Sequence, residues 1–234
     1  MLSLDRGHDM TTTLQVGTYL FDEVEVLDFA GPFEVFSTAA RLAQRAGAIP
    51  PFEVHTIGPA IAPIRARAGL TVLPQHTLAD HPPLDVLMVP GGVVTAELKR
   101  SALADWLVMQ SCKARVLASI CTGAFLLEQA GLLNEREAIT HWEDVDELRA
   151  ISQASGSLVK VLVGQRWVEA KPWVHHGGVC RLFTSAGISA GIDLSLHLVA
   201  ELASPELARR TARQMDCDWR AANGSIVQAA AGRG

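Results

Sequence analysis

The chain has 234 residues, of which 49% are hydrophobic and 19% are charged, and its formal net charge is -5. This length can bury a full hydrophobic core, so we predict one α/β domain over residues 14–220. The negative balance gives no basic surface for nucleic acid, and no apolar run reaches the length of a membrane span. A soluble protein with no nucleic-acid or membrane partner is therefore expected.

The two ends of the chain are more polar than the middle. Residues 1–13 lack the apolar block of a secretory signal, so we expect a disordered extension there. Residues 221–234 are small and polar, and we expect them to form a flexible tail. The cysteines show no metal-binding spacing, so we expect reduced thiols in the cytoplasm and no metal; they are Cys112, Cys121, Cys180 and Cys217.

Apolar runs typical of strands alternate along the chain with segments typical of helices. In the first half we predict strands at 14–21, 52–57 and 85–89, short strands within 61–73, and helices at 32–46 and 96–112. In the second half we predict a strand before Cys121 and a helix after it, strands at 138–140, 158–163 and 181–185, and helices at 143–151, 188–202 and 205–215. This alternation predicts a three-layer α/β/α sandwich, in which a mostly parallel sheet is covered by helices on both faces.

The most informative segment is RVLASICTGAFLL at residues 115–127. An apolar strand-like run meets Cys121, the small residues Thr122 and Gly123 follow, and a helix-like run comes next. This is the layout of a nucleophile elbow, in which a tight strand-to-helix turn presents one side chain at the carboxyl edge of a sheet. The N–H groups of the following helix would face the sulfur, so we expect the thiol pKa to lie below about 8.5. A buried structural cysteine is the alternative, and the turn context favours the reactive thiol.

A second candidate group is the carboxyl of Asp28, which follows the first predicted strand. Asp28 stands between apolar neighbours in VLDFAGP at 26–32, ahead of a Gly-Pro pair that we expect to begin a helix. Considered alone, it is better explained as a turn or capping residue. Ligands of parallel sheets bind at the carboxyl ends of strands, so we expect Asp28 to face Cys121 at one edge. Burial and a neighbouring thiolate would both raise the pKa of Asp28, which would leave it a proton to donate.

Other residues near predicted strand ends give weaker signals. The amides of Gly91 and Gly92 could approach a ligand as an oxyanion hole requires, and a plain tight turn explains the two glycines as well. His141 is a candidate general base, with an ordinary packed histidine as an equal alternative. The histidine pair at 175–176 is expected in a loop and has no third metal ligand by spacing. The glycines of SAGISAGID at 185–193 are interpreted as close packing at the start of the last long helix.

Five motifs occur in order along the chain: LDFAGP at 27–32, VPGG at 89–92, CTG at 121–123, THW at 140–142 and SAGISAGID at 185–193. Together they resemble the ThiJ/PfpI superfamily, and the resemblance covers about 14–219. That superfamily implies the class I glutamine amidotransferase-like fold, which is flavodoxin-like. Its most similar branches are the isocyanide hydratases and the amidotransferase-like N-terminal domains of AraC-type transcription regulators.

Differences between this sequence and other branches of the superfamily narrow the set of expected functions. PfpI-type peptidases carry histidine directly after the cysteine, where this chain has Thr122, which argues against protease chemistry. The redox-sensing branch typically has glutamate facing the cysteine, where this chain has the shorter Asp28. AraC-type regulators add a DNA-binding region of roughly a hundred residues, comparable to a small domain. The chain ends at Gly234, so we expect no such region.

The resemblance to isocyanide hydratases implies a cytoplasmic, cofactor-free cysteine enzyme that converts R–N≡C to an N-substituted formamide. In that pattern the nucleophilic cysteine is followed by threonine and has an aspartate beside it, and Cys121, Thr122 and Asp28 match those positions. Cys121 would form a covalent thioimidate, and Asp28 would act as the general acid and base.

The remaining site residues receive supporting roles from the same comparison. Thr122 and the amides of Gly91 and Gly92 would position polar groups around the reacting centre, and His141 would lie behind them. The superfamily also implies a small-molecule substrate and a homodimer. Two alternatives stay open: a non-catalytic ligand- or oxidant-sensing module related to the regulator domains, and an amidase or glyoxalase-like hydrolase.

Overall fold

A mostly parallel sheet runs through the centre of the computed structural model, which describes residues 12–175 and 177–227. In chain order the strands are β1 (Leu14–Tyr19), β2 (Phe52–Gly58), β3 (Ile64–Arg65), β4 (Thr71–Val72), β5 (His76–Thr77), β6 (Val86–Val89), β7 (Val116–Ile120), β8 (Glu137–Ala138), β9 (Lys160–Val161), β10 (Trp167–His175) and β11 (Gly178–Ser185). Among these described strands, seven form the central sheet in the order β10-β11-β7-β6-β1-β2-β5. Its neighbouring pairs are parallel except β10 with β11.

Helices cover both faces of this sheet. They are α1 (Val26–Arg45), α2 (Ser101–Ser111), α3 (Gly123–Gln129), α4 (Val145–Ser155), α5 (Ser189–Leu202) and α6 (Pro205–Gln214), with 3₁₀ turns at Arg67–Gly69, Glu97–Lys99 and Trp142–Asp144. Helices α1, α5 and α6 contact one another on one face, and α3 contacts α2 and α4 on the other. The predicted three-layer α/β/α sandwich is confirmed.

Alternate residues of the central strands supply two separate cores. In β7, Ala118 and Ile120 pack in the core beneath α1, α5 and α6, whereas Leu117 packs in the core beneath α2, α3 and α4. Both faces of β7 are therefore buried, which is why its sequence is a continuous apolar run rather than an alternating one. The carboxyl ends of the parallel strands β1, β6 and β7 meet at one edge of the sheet. That edge carries the candidate site.

Helix α1 begins six residues earlier than the sequence predicts. The prediction placed Pro32 at the helix start because proline suits the first helical turn. Pro32 instead lies inside a helix that begins at Val26, so Asp28 belongs to the first turn of α1 and not to a preceding loop. Pro32 has no N–H, so the Asp28 carbonyl receives no helical hydrogen bond from it.

The edge strand β10 is absent from the sequence prediction. Its residues are mostly exposed or half-buried, and its register shifts between Ala170 and Trp173, around Pro172. Proline cannot donate to a sheet and is tolerated at edges and bulges, so its presence hides this strand in the sequence. His175 is the last residue of β10 rather than part of a loop, and position 176 lies outside the described residues. The two-residue strand β5 is also absent from the prediction.

The chain ends are described only in part. Residues 1–11, most of the predicted extension, and residues 228–234 of the predicted tail lie outside the described residues. Residues 221–227 are hydrogen-bonded to the body, since Arg166 N–H donates to the Ala222 carbonyl at 2.7 Å and Val227 N–H to the Trp219 carbonyl at 2.8 Å. This part of the tail is anchored, in contrast to the expectation. None of the helices in residues 12–175 and 177–227 combines the length and apolar character of a membrane span.

Candidate active site

Cys121 occupies the turn between β7 and α3 in a left-handed backbone conformation, with φ at +56°. Its N–H donates to the Ser185 carbonyl at 3.1 Å, and its carbonyl accepts from the Thr140 hydroxyl at 2.9 Å. A Cβ built on Gly123 would lie 2.1 Å from the Val89 carbonyl oxygen, so only glycine fits at that position. The surrounding strands thus hold a conformation that non-glycine residues rarely adopt, and the chain makes the tight elbow that its sequence predicts.

The Asp28 carboxyl group lies near the Cys121 thiol, close enough for each group to shift the pKa of the other. Asp28 is completely buried. Its Oδ2 accepts from the Gly91 N–H at 3.1 Å, and its Oδ1 accepts from the Ile188 N–H at 3.1 Å. Burial raises the pKa of Asp28 from 3.8 to about 7, although both amide donors act in the opposite direction. The structure therefore brings the two principal candidate residues to the same edge of the sheet, within electrostatic reach of each other.

The pKa of the Cys121 thiol is raised to about 12, which is opposite to the lowering expected from the sequence. Burial is the largest cause, and the neighbouring Asp28 carboxylate adds to it. The amide and hydroxyl of Thr122 act toward a lower pKa without offsetting these effects. The expectation of a lowered thiol pKa was wrong because it considered the helix N-terminus and omitted burial and the neighbouring carboxylate.

Cys121 and Asp28 lose their protons as a pair. The fully protonated pair is neutral and loses its first proton near pH 7. The remaining proton can reside on the sulfur or on the carboxyl group, and only the second arrangement contains a thiolate. A single proton transfer from the sulfur to the carboxyl group therefore produces a nucleophile and a carboxylic acid together.

Gly91 and Gly92 lie at the site, but their amides already have partners. The Gly91 N–H donates to Asp28, and the Gly92 N–H donates to Thr122 Oγ1 at 2.9 Å. The Thr122 hydroxyl donates back to the Gly92 carbonyl at 2.9 Å. The two amides that were predicted to form an oxyanion hole therefore both donate to side chains of the site itself. A Cβ on Gly91 would lie 2.8 Å from Cys121 Cβ, so this glycine allows the end of β6 to approach the elbow.

His141 packs against the segment that leads into α5. A Cβ built on Gly187 would lie 2.4 Å from His141 Cδ2 and 3.3 Å from Cys121 Sγ, so a glycine is needed beside the ring and the sulfur. A Cβ on Gly191 would lie 3.0 Å from the Ile120 side chain. These contacts agree with the close packing predicted for 185–193.

Ile188 is a site residue that the sequence analysis missed. Its backbone has φ +58° and ψ -102°, a combination that is a genuine outlier for a β-branched residue. This conformation directs its N–H toward Asp28. No sequence signal could have identified it, because isoleucine has no preference for positive φ and nearly any residue can supply a main-chain donor.

A cavity of about 470 Å³ opens onto Cys121. Thr122, His141 and Ile188 contribute to its wall, together with acidic side chains from the 3₁₀ turn Trp142–Asp144 and the start of α4. Within residues 12–175 and 177–227, no group of three or more His, Cys, Asp or Glu side chains is arranged to hold a metal ion. The chemical groups that line the cavity are thus a thiol, a hydroxyl, an imidazole, several carboxylates and the Arg67 guanidinium, whereas the Asp28 carboxyl is buried and does not line it.

Comparison with known sequences identifies relatives of two kinds. Residues 15–201 match the DJ-1/PfpI family. The chain is 32% identical over 204 residues to the isonitrile hydratase of Pseudomonas putida, which covers 87% of this chain and 78% of that protein. It is also 30% identical over 161 residues to the HTH-type transcriptional regulator CdhR of Pseudomonas aeruginosa, which covers 68% of this chain and 44% of the regulator.

Solved structures share the fold at lower identity. A THiJ/PfpI family protein from Pseudomonas syringae has a TM-score of 0.71 at 22% identity, covering 93% of this chain and 82% of that chain. An AraC family transcriptional regulator from Pseudomonas putida has a TM-score of 0.67 at 20% identity, covering 86% of this chain and 99% of that chain. These likenesses establish the architecture and not the chemistry.

Proposed function

This chain belongs to the DJ-1/PfpI family, and we propose that it hydrates isocyanides to N-substituted formamides through a covalent intermediate on Cys121. The observation that carries the proposal is the buried Asp28 carboxyl, held by two backbone amides near the Cys121 thiol, beside a cavity that can admit a small molecule. The similarity to a protein named isonitrile hydratase supports the same chemistry.

The first half of the proposed reaction uses the proton that the pair shares. The thiol proton moves to Asp28, and the Cys121 thiolate attacks the terminal carbon of R–N≡C to form an S–C bond. The Asp28 carboxylic acid then gives its proton to that carbon, which produces the thioimidate R–N=CH–S–Cys121. The amides of Gly91 and Ile188 bind both carboxyl oxygens, so they hold the acid in place and stabilise the carboxylate left after the transfer.

The second half adds water to the thioimidate. One water proton goes to the nitrogen, the oxygen bonds to the carbon, and the second proton passes to the Asp28 carboxylate as the C–S bond breaks. The product is R–NH–CHO, the sulfur leaves as a thiolate, and the pair again holds a single proton. The net change is the addition of one water molecule to the isocyanide.

A product assay with simple alkyl and aryl isocyanides tests this proposal. We expect the N-substituted formamide to form with the natural chain and with Cys112→Ala, which removes an exposed thiol elsewhere in the protein. We expect no formamide with Cys121→Ala. If no isocyanide yields formamide with the natural chain, the proposed function is wrong.

A ligand-sensing module without turnover is the second candidate. The similarity to CdhR and the fold shared with an AraC family regulator favour it. Reversible isocyanide binding in equilibrium dialysis, without formamide, would select this candidate over the enzyme. An amidase or glyoxalase-like hydrolase is a third candidate, and amide or glyoxal turnover would identify it.

We further propose that the protein acts on its small-molecule substrate as a homodimer in the cytoplasm, where thiols stay reduced. Light scattering should give twice the chain mass of 25.1 kDa. A single species at the chain mass would contradict the dimer.

A further inference from the structure

The wall of the Cys121 cavity carries an excess of negative charge that the proposed chemistry does not use. Its charged side chains are four carboxylates and one guanidinium: Glu25, Glu143, Asp144, Glu147 and Arg67. Arg67 Nη1 lies 3.2 Å from Glu25 Oε2, so these two charges compensate each other. The other three carboxylates belong to one segment, the 3₁₀ turn Trp142–Asp144 and the first turn of α4.

Among the described residues, no Lys or Arg side chain lies within ion-pair distance of these three carboxylates, although Arg67 is near enough to oppose the rise that burial causes in the pKa of Asp144. The group within ion-pair distance is the His141 ring, whose Nδ1 lies 3.6 Å from Asp144 Oδ2 and 3.7 Å from Glu143 Oε2. That nitrogen also accepts a hydrogen bond from the Glu143 N–H at 3.4 Å. Four carboxylates against one guanidinium leave the cavity wall with an excess of three formal negative charges toward a molecule that enters it.

The charge acts on the reacting centre and stands beside an exposed aromatic ring. Asp144 is close enough to Cys121 to oppose ionisation of the thiol. Trp142 is 76% exposed, and its ring centroid lies 5.6 Å from that of His141. An indole face and carboxylates are both groups that attract ammonium ions. The carboxylates of the cavity wall, with the Trp142 ring next to His141 outside the lining, are suited to a cation.

We propose that the cavity selects positively charged substrates, so that the isocyanide R group bears an amine or a quaternary ammonium. The isocyano carbon meets Cys121, and the cation faces Asp144 and Glu147. The identity of the reacting group rests on the proposed function, whereas the charge selection applies to any molecule that enters the cavity. Three unit charges acting through water correspond to roughly a tenfold preference for a cation over a neutral analogue at low ionic strength.

Methanethiosulfonate reagents test the selection without isocyanide turnover. The ethyltrimethylammonium and ethylsulfonate reagents have similar size and opposite charge, and each forms a mixed disulfide with a thiol and releases methanesulfinate. Their rates at Cys121, followed by mass spectrometry, are divided by their rates at the exposed Cys112 of the same chain. We expect the cation-to-anion ratio at Cys121 to exceed that at Cys112 by at least tenfold at low salt, and to fall as salt is added.

A pair of matched variants assigns the selection to the cavity wall. Asp144→Asn/Glu147→Gln removes two of the three charges, and we expect the ratio at Cys121 to fall several-fold. Glu135→Gln/Asp218→Asn removes two exposed charges outside the cavity wall and should leave the ratio unchanged. The ratio is used instead of single rates because Asp144 also affects thiol ionisation. Equal ratios at both thiols, or an unchanged ratio in the cavity variant, would overturn the proposal.

Isocyanides of matched length extend the test to the proposed reaction. An aminoalkyl isocyanide should have a KM roughly tenfold below that of the alkyl compound, and Asp144→Asn/Glu147→Gln should remove most of that difference. Selection for the cationic thiosulfonate without formamide from any isocyanide would refute the proposed function and leave the charge selection standing. Isocyanide turnover with no charge preference would refute the charge selection and leave the proposed function standing.

Discussion

Replacement of Asp28 by asparagine should make the folded protein less stable at pH 4 and more stable at pH 8. The amide has nearly the same size as the carboxyl group, so the first turn of α1 should be kept. Its NH₂ group cannot accept a hydrogen bond, so either the Gly91 or the Ile188 N–H loses its buried partner. That loss costs about 1–3 kcal/mol at every pH.

The opposing effect depends on pH and comes from the buried charge of the natural residue. The pKa of Asp28 rises from 3.8 to about 7 on folding, so the folded state holds its proton more tightly than the unfolded chain. As pH rises from 4 to 8, the unfolded chain ionises first and the stability of the natural protein falls by about 4 kcal/mol. Asparagine does not ionise, so the variant avoids this loss and is more stable at pH 8 by about 1–3 kcal/mol.

Urea unfolding of both proteins at pH 4, 6 and 8 measures this reversal. The difference in the free energy of unfolding between the two proteins cancels contributions from other titrating groups. Catalysis supplies a second measurement, because loss of a positioned acid and base lowers kcat by roughly a hundred- to ten-thousand-fold. A stability difference that is the same at pH 4 and pH 8 would refute the buried, proton-holding carboxyl. A variant with unchanged kcat would refute its role in the reaction.

Three further predictions concern the elbow and its neighbours. Iodoacetamide should alkylate Cys121 faster at pH 8 in Asp28→Asn than in the natural chain, because the buried charge that raises the thiol pKa is gone; an unchanged rate by mass spectrometry would contradict this. Gly123→Ala should destabilise the fold by at least 1–3 kcal/mol in urea unfolding, since its Cβ would lie 2.1 Å from the Val89 carbonyl oxygen, and an undisturbed midpoint would be inconsistent with that clash. Ile188→Gly should raise the free energy of unfolding by about 1 kcal/mol, as it relieves a strained φ of +58°, and a lower Tm would argue against strain at this residue.

The sequence predicts those features that depend on local pattern. The continuous apolar run of β7, followed by small residues, predicts both a buried strand and the turn at Cys121, because each follows from residue size and hydrophobicity. The meeting of Asp28 with Cys121 follows from the rule that parallel strands end at one edge. The start of α1 was misplaced because Pro32 suits a first turn better than the helix interior that it occupies.

Features that depend on tertiary contacts could not be predicted from the sequence. An amide N–H can bind a ligand or a neighbouring side chain, so the sequence could not show that Gly91 and Gly92 already have partners. The raised pKa of Cys121 arises from burial and from the Asp28 carboxylate. The residues around Cys121 in the sequence indicate neither how deeply the thiol is buried nor how close Asp28 lies to it. The acidic wall of the cavity contains Glu143, Asp144 and Glu147, which belong to one segment. Only the folded structure shows that this segment lies beside Cys121.

The two hydrogen bonds that hold Asp28 also determine when the site can be completed during synthesis. One donor, the Gly91 amide, lies 63 positions along the chain from Asp28, and the other, the Ile188 amide, lies 160 positions along it. A nascent chain that has emerged only as far as α3 has Asp28 and Cys121 but not the second donor. We therefore expect Asp28 and Cys121 to be among the last parts of the domain to reach their final arrangement. The thiol should then gain its reactivity only after most of the chain has folded.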